Sequence, residues 1–163
     1  MESHNAEATS TGRNETPNEQ QDRNWNDILQ ELRVMQTGVQ IIAGFLLTLP
    51  FQQRFDDLKP AAVALYLILV VLAATATCLM LVPVALHRQM FRLQRKSTVV
   101  STGHLVLKTV LVLVGLLITG TTTLIYYVVV GGTAGAIVAG VFSAVLVGGL
   151  FIYPRIVKYN QVK

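Results

Sequence analysis

Acidic residues are missing from most of the chain. All nine Asp and Glu residues of the 163-residue sequence lie before Leu58, and residues 58–163 contain none. Charged residues of both signs make up 13% of the chain, against roughly 25% in a typical soluble domain. Because a soluble domain needs charges of both signs on its surface, the long acid-free region excludes an ordinary soluble fold. Helices that face lipid have no such need.

Cysteine and metal-ligand patterns are nearly absent as well. The single cysteine, Cys78, lies in an apolar run, which excludes an internal disulfide and a cysteine metal cluster. The three histidines, at positions 4, 87 and 104, have no partner at metal-ligand spacing. The Ser, His and acidic residues are not arranged in a way that suggests a hydrolytic site. The glycines match no nucleotide-binding fingerprint. The sequence therefore predicts a protein that is not an enzyme and that has no metal or other cofactor.

Apolar residues are abundant and are concentrated in four segments. They make up 52% of the chain, and the clearest segment, residues 61–86, has no charge. Since about 20 apolar residues cross the hydrocarbon core of a membrane, we predict an all-α membrane protein. Its four transmembrane helices are expected at residues 25–50, 61–86, 105–130 and 135–153. The charge-free part of the first segment is short for a span, so a re-entrant or interfacial helix is the alternative there.

The predicted transmembrane domain covers residues 24–157 and is flanked by two polar tails. Residues 1–23 have low hydrophobicity and are predicted to be disordered, and residues 158–163 form the second tail. Eleven of the thirteen Lys and Arg residues fall on one side of a four-span layout. Because basic residues concentrate on the cytoplasmic side, we expect both tails in the cytoplasm. The expected location is a bacterial inner membrane, with a multi-pass topology.

The sequence of the first helix predicts where the helix begins and which of its faces is apolar. Asn24 is the expected N-cap, with Asp27 as the acid of its capping box. Trp25 is expected to anchor the helix at the membrane interface. One face of the helix is apolar and is predicted to pack inside the protein: Ile28, Leu32, Met35 and Val39.

Two connections and the end of the fourth helix are predicted from basic residues, turn-forming residues and proline. The loop after the second span carries four basic residues at helical spacing, which predicts a face that binds anionic lipid headgroups: Arg88, Arg92, Arg95 and Lys96. Because the basic residues flank apolar runs, a membrane surface explains the net charge of +4 better than nucleic acid does. Residues 97–103 are predicted to be a loose connector and residues 131–135 a tight turn, and Pro154 is expected to end the fourth helix.

A polar row follows one side of the first apolar helix at four-residue spacing: Gln36, Gln40, Gly44 and Thr48. A glutamine in hydrocarbon needs polar partners, so these side chains are expected to face other helices or water. The leading interpretation is hydrogen bonding between helices, and the alternative is a polar lining for a small pore or binding cavity. Glu31 and Arg33 lie at the rim of the row, where interfacial hydrogen bonds or a salt bridge are expected.

Small and hydroxylated residues mark the last two spans. Small residues recur every four positions along the fourth span: Gly132, Ala136, Gly140, Ala144 and Gly148. Such a stripe permits close approach of another helix. The leading interpretation is packing inside the protein's own bundle, and the alternative is a homo-oligomer interface. In the third span Thr119, Thr121, Thr122 and Thr123 are predicted to bond to backbone carbonyls one turn earlier.

Two segments carry a resemblance to a known family. They are NDILQELRVMQTGVQIIAGFLLTLPFQQRF, at residues 26–55, and the junction PVALHRQMFR, at residues 83–92. Together with the four-span layout they resemble an uncharacterised family of small actinobacterial membrane proteins, classed as a domain of unknown function. The resemblance implies a four-helix membrane domain and no assigned mechanism. Some relatives carry an automatic label of sodium:proton antiporter.

Antiporter chemistry does not fit the residues of this chain. It generally needs an intramembrane carboxylate whose pKa is tuned to the working range, and the apolar spans contain no Asp or Glu. We therefore predict a non-enzymatic membrane protein, either a self-associating subunit or an accessory subunit of a larger membrane complex. The alternative is a small oligomeric transporter or channel whose path is lined by Gln36, Gln40 and Thr48.

Overall fold

The computed structural model describes residues 16–90 and 96–161, and within these it describes the side chains of residues 16, 19–85 and 102–160. All elements in these ranges are helical, as predicted. They are α1 (Pro17–Thr48), a 3-10 turn (Leu49–Phe51), α2 (Pro60–Met90), α3 (Lys96–Val129), α4 (Gly132–Val147), a π-helical turn (Gly148–Ile152) and α5 (Tyr153–Gln161).

Four helical segments are long and apolar enough to cross a membrane, which confirms the predicted fold class. They are Glu19–Phe51, Pro60–Ala85, Thr102–Val129 and Gly132–Asn160. The first of them is therefore a full-length helix, although its charge-free part is short. The four segments match the four predicted spans and make this a membrane protein.

Helix α1 begins earlier than the sequence signals at Asn24 suggested. Thr16 is the N-cap, and Pro17 occupies the first helical position. The backbone N–H and the hydroxyl of Thr16 each donate to the Glu19 carboxylate at 2.8 Å, while the N–H of Glu19 donates back to the Thr16 hydroxyl oxygen at 3.4 Å. This capping box starts the helix, so the predictions of an Asn24 cap and of disorder at residues 17–23 were wrong. Residues 1–15 lie outside the described residues.

The core of the bundle is formed by the apolar faces of α1, α2 and α3. On α1, Ile28, Leu32 and Val39 are buried and Met35 packs against them, which confirms the predicted inner face. Leu69 and Leu117 contribute fully buried side chains from α2 and α3. Helix α3 contacts each of the other three long helices and is the centre of the fold.

Trp25 is part of this packing and is not exposed as an interfacial anchor would be. It is 7% exposed, and its ring lies 3.0 Å from the position that a Cβ on Gly103 would occupy. Ile28 approaches the same glycine. Residues 97–103 are accordingly the first turns of α3 and not the loose connector that was predicted. The contact with α1 stabilises a helix start that the local composition does not favour.

The basic loop lies largely beyond what the structure describes. Helix α2 continues through Pro83 to Met90, so Arg88 has a helical backbone, and Lys96 is the first residue of α3. The side chains of Arg88 and Lys96, and Arg92 and Arg95 altogether, lie outside the described residues. The prediction of a headgroup-binding face on this loop therefore stays a prediction.

Helices α3 and α4 form a tight antiparallel hairpin. The turn is Val130 and Gly131, and Gly131 adopts a φ of +123°, a conformation that favours glycine. Because α4 already begins at Gly132, the predicted five-residue turn was too long. Gly135 of α4 packs against Tyr127 of α3, and Gly115 of α3 packs against Leu146 of α4. At both contacts the glycine lets the two helices approach closely.

Pro154 does not end the fourth helix, contrary to the prediction. The π-helical turn leads from α4 into α5 without a break, and the N–H of Tyr153 donates to the carbonyl of Gly148, five residues earlier. In a regular α-helix a proline ring clashes with the carbonyl four residues earlier, and the wider π turn relieves that clash. The helix therefore runs on to Gln161.

Candidate functional site

The polar row of α1 lies on the outside of the bundle. Gln36, Gln40, Gly44 and Thr48 are all exposed, whereas Val39 and Leu46 on the inner face are at most 1% exposed. The leading interpretation of the row, hydrogen bonding to other helices, is therefore wrong within a single protomer. Periodicity showed that the four residues share a side of the helix, and it did not show which side the other helices cover.

Only the two glutamines of the row have side chains without hydrogen-bond partners. The Thr48 hydroxyl donates to the carbonyl of Phe45 at 2.7 Å. The neighbouring Thr37 hydroxyl donates to the carbonyl of Arg33 at 3.2 Å. The amides of Gln36 and Gln40 make no hydrogen bond to any residue that the structure describes. The row thus presents two free amides on an otherwise apolar outer surface.

The position of Gln40 along α1 places it within the apolar part of the span. Residues 34–49 carry no charge, and Arg33 is the last charged residue before them. With a rise of about 1.5 Å per residue, the Cα of Gln40 lies roughly 10 Å along the helix axis from that of Arg33. One turn further on, a Cβ on Gly44 would meet nothing within 4 Å. An open backbone surface therefore adjoins the free amide.

The rim pair of Glu31 and Arg33 does not form a salt bridge. Both side chains are exposed, and neither makes an ion pair with any described residue. Residues two apart on a helix point in different directions, so the pair has no geometric reason to meet. The charged groups remain available at the rim.

The threonine cluster of α3 bonds to its own backbone, as predicted, with one exception. Thr119, Thr122 and Thr123 each donate to the carbonyl four residues earlier, at 2.8 Å. Thr121 is 8% exposed, and its hydroxyl has no hydrogen-bond partner among the described residues. The sequence gives no signal that separates Thr121 from its neighbours, because its rotamer depends on the helices packed around it.

The small-residue stripe of α4 also faces outwards. Gly132, Ala136, Gly140 and Ala144 are exposed and Gly148 is half-buried, so packing inside the protomer does not explain the stripe. A Cβ on Gly140 or Gly148 would meet nothing within 4 Å. The packing surface of α4 is a different one, formed by Gly135 and Leu146 against α3. Only 6% of the most apolar 18-residue stretch of this span is buried, whereas the corresponding share is 28% in both the second and the third span.

Ligand-type residues are scattered over the described part of the chain. No group of three or more His, Cys, Asp or Glu residues lies close enough there to hold a metal ion. His104 and Cys78 are exposed. The outward polar row of α1 is therefore the feature that stands out chemically.

A comparison with known protein families matches residues 14–154 to a family of unknown function, DUF6328. The chain belongs to this family. The match covers all four spans of the DUF6328 protein except the end of the fourth helix, and it confirms the resemblance to an uncharacterised family. The other two comparisons, with curated proteins and with solved structures, gave no match.

Proposed function

We propose that this DUF6328 protein is a non-enzymatic, multi-pass protein of the bacterial inner membrane that self-associates through the outward face of α1. The observation that carries the proposal is the pair of glutamine amides, Gln36 and Gln40, exposed on the apolar outer surface without a partner among the described residues. We call this surface the α1 face and define it by Gln36, Gln40 and Gly44.

The energetics of a lipid-facing amide favour a protein partner. Transfer of an amide from water to a solvent without hydrogen-bonding groups costs about 4–8 kcal/mol. Lipid tails cannot offset that cost, since they neither donate nor accept hydrogen bonds. A hydrogen bond between helices in a membrane contributes about 0.6 kcal/mol on average. Association that pairs Gln36 and Gln40 is therefore favourable, although each bond is weak.

The chemistry of the amide supports a second copy of the same chain as the partner. A glutamine side chain has both a donor and an acceptor, so two glutamines can satisfy each other. Copies inserted with the same orientation and related by a symmetry axis along the membrane normal place equal residues at equal depth. Each glutamine then meets its own counterpart. The missing side chain at Gly44 permits close approach one turn away.

A small oligomeric transporter or channel is the second candidate. Because the row from Gln36 to Thr48 lies on the outside, its path would run between protomers, with several α1 helices around a common axis. The exposure of all four residues of the row favours this candidate over a path inside one protomer. An accessory role in a larger complex would use the α1 face against a different membrane protein.

The other expected contacts are with lipid. Arg88, Arg92, Arg95 and Lys96 are proposed to bind anionic headgroups on the cytoplasmic side, with about 1 kcal/mol from each basic residue. The stripe on α4 offers a second surface on which another helix can pack. The proposed headgroup contacts go with both tails in the cytoplasm, the orientation that the distribution of basic residues favours.

The test is the association constant of the reconstituted protein, measured by energy transfer between labelled copies as the protein is diluted in liposomes. The Gln36→Leu, Gln40→Leu double variant loses about four interhelical bonds, so about 2.4 kcal/mol and a roughly 60-fold weaker association are expected. The matched control is Gln53→Leu, which makes the same substitution in the exposed loop after α1.

Three outcomes decide between the candidates. A wild-type protein that is monomeric at all dilutions, or a double variant that associates as tightly as wild type, contradicts self-association through this face. Ion flux in wild-type liposomes that is lost in the double variant supports the channel. A different membrane protein that co-purifies with wild type and is lost from the double variant supports the accessory role.

A further inference from the structure

An apolar groove lies at the membrane face where α1 ends and α2 begins. Its volume is about 230 Å³, and it is bounded by the end of α1, the following loop, the start of α2 and the end of α3. Leu49, in the 3-10 turn after α1, and Leu58, in the following loop, contribute apolar side chains. The groove lies at the opposite membrane face from the basic loop.

The groove is lined by buried side chains at its base and by half-exposed side chains at its sides. Tyr66 and Leu124 are 6% and 3% exposed and line its buried side, where the Tyr66 ring packs edge-on against Phe55 with centroids 5.2 Å apart. On the walls, Phe45 and Val128 are 43% and 44% exposed. Because these residues belong to membrane-spanning helices, the groove opens towards the hydrocarbon core of the membrane. The molecules that surround it there are lipid acyl chains, so an acyl chain is the expected ligand.

A charged side chain lies at the edge of this groove. Arg54 lines the groove, is exposed, and makes no ion pair with any described residue, although Asp56 and Asp57 follow closely in the chain. The groove therefore combines an apolar trough with a cation.

We propose that the groove binds one acyl chain of an anionic phospholipid, whose phosphate contacts Arg54. Guanidinium and phosphate form charge-assisted, often bidentate, hydrogen bonds. Pockets for drug-sized ligands measure about 300–1,000 Å³, so this smaller groove takes a single chain and not a bulky ring system. The site is separate from the α1 face and does not depend on it.

The test measures lipid retention by the full-length protein in mild detergent, by native mass spectrometry. Phosphatidylglycerol and phosphatidylcholine with identical chains are the probes. Wild type is expected to keep one phosphatidylglycerol per protomer with a roughly tenfold or greater preference over phosphatidylcholine. Arg54→Gln should abolish that preference, and Val128→Trp, which fills the groove, should abolish retention. Lys59→Gln and Val130→Trp are controls outside the groove and should behave as wild type.

Several results would overturn the proposal. Equal retention of the two lipids by wild type, an unchanged preference in Arg54→Gln, or unchanged retention in a folded Val128→Trp variant contradicts the proposed phospholipid site. If Val128→Trp alters the oligomeric state and leaves lipid retention unchanged, the groove is a contact between copies. Arg54→Gln changes an exposed loop residue, so it tests the site even if Val128→Trp fails to fold.

Discussion

Replacing Gly135 with alanine tests how α4 is held to the bundle. A Cβ at this position would lie 3.0 Å from the Tyr127 Cβ, 3.2 Å from its Cα and 3.3 Å from its backbone nitrogen. Two of these three atoms are backbone, so a change of rotamer does not relieve the clash and the helices must separate. Overpacking of this kind costs about 1–3 kcal/mol.

The matched variant is Gly140→Ala, one to two turns further along the same helix. A Cβ on Gly140 would meet nothing within 4 Å. Either substitution gains about 1 kcal/mol of helix propensity, because alanine is a better helix former than glycine. The difference between the two variants therefore isolates the clash, and Gly135→Ala is expected to be about 1–3 kcal/mol less stable than Gly140→Ala.

The assay is equilibrium unfolding in mixed micelles as the fraction of a denaturing detergent is raised, at a protein concentration where copies do not associate. Loss of helix is followed by circular dichroism and loss of the α3–α4 contact by labels placed on these two helices. Equal free energies of unfolding for Gly135→Ala and Gly140→Ala would refute the close approach of α4 to Tyr127.

Three further predictions concern single residues. Trp25→Ala should lower the free energy of unfolding by about 3–5 kcal/mol, because the ring is buried against α3, and a change within about 0.5 kcal/mol would show that Trp25 is only a surface anchor. Gly44→Leu should weaken association in liposomes more than Gly38→Leu does, since both positions are open but only Gly44 belongs to the α1 face, and equal effects would contradict this. Pro154→Ala supplies an N–H that regular helix can use, so its new amide should be protected from hydrogen exchange, and free exchange would argue against an unbroken helix there.

The four spans could be predicted from the sequence because the requirements for a transmembrane helix are the length and the apolar character of the segment. Residues 61–86 have no charge and appear as a helix that begins at Pro60. The inner face of α1 was also predictable, since Ile28, Leu32 and Val39 recur with the helical period and are buried. Both features depend on the local pattern of apolar residues.

Features that depend on neighbouring helices could not be predicted in the same way. The helical period showed that Gln36 and Gln40 share a side of α1, but that side faces outwards because α2 and α3 cover the other one. Trp25 has the composition of an interfacial anchor and is buried because Gly103 leaves room for its ring. Thr121 differs from Thr122 only through its surroundings.

The predictions of two helix boundaries were wrong because another local feature overrode the sequence signal that was used. Asn24 and Thr16 both have capping signals, and the earlier one is used because Pro17 and Glu19 support it. Pro154 is a reliable helix breaker in a regular α-helix, and the π turn before it removes the reason for a break.

Disulfide formation at position 48 tests the proposed self-association most directly, because Thr48 lies one turn beyond Gly44 on the same exposed side of α1 and its replacement keeps both glutamines. The background is Cys78→Ser, because Cys78 is the single cysteine and is exposed. In this background Thr48→Cys should form covalent dimers in liposomes under mild oxidation, since a disulfide requires Cα atoms within about 7 Å and identical residues meet across a symmetric pair of α1 helices. Val71→Cys, on the exposed side of α2, should stay monomeric. If Thr48→Cys stays monomeric as well, or if both variants cross-link equally, the α1 face does not join two copies of this protein.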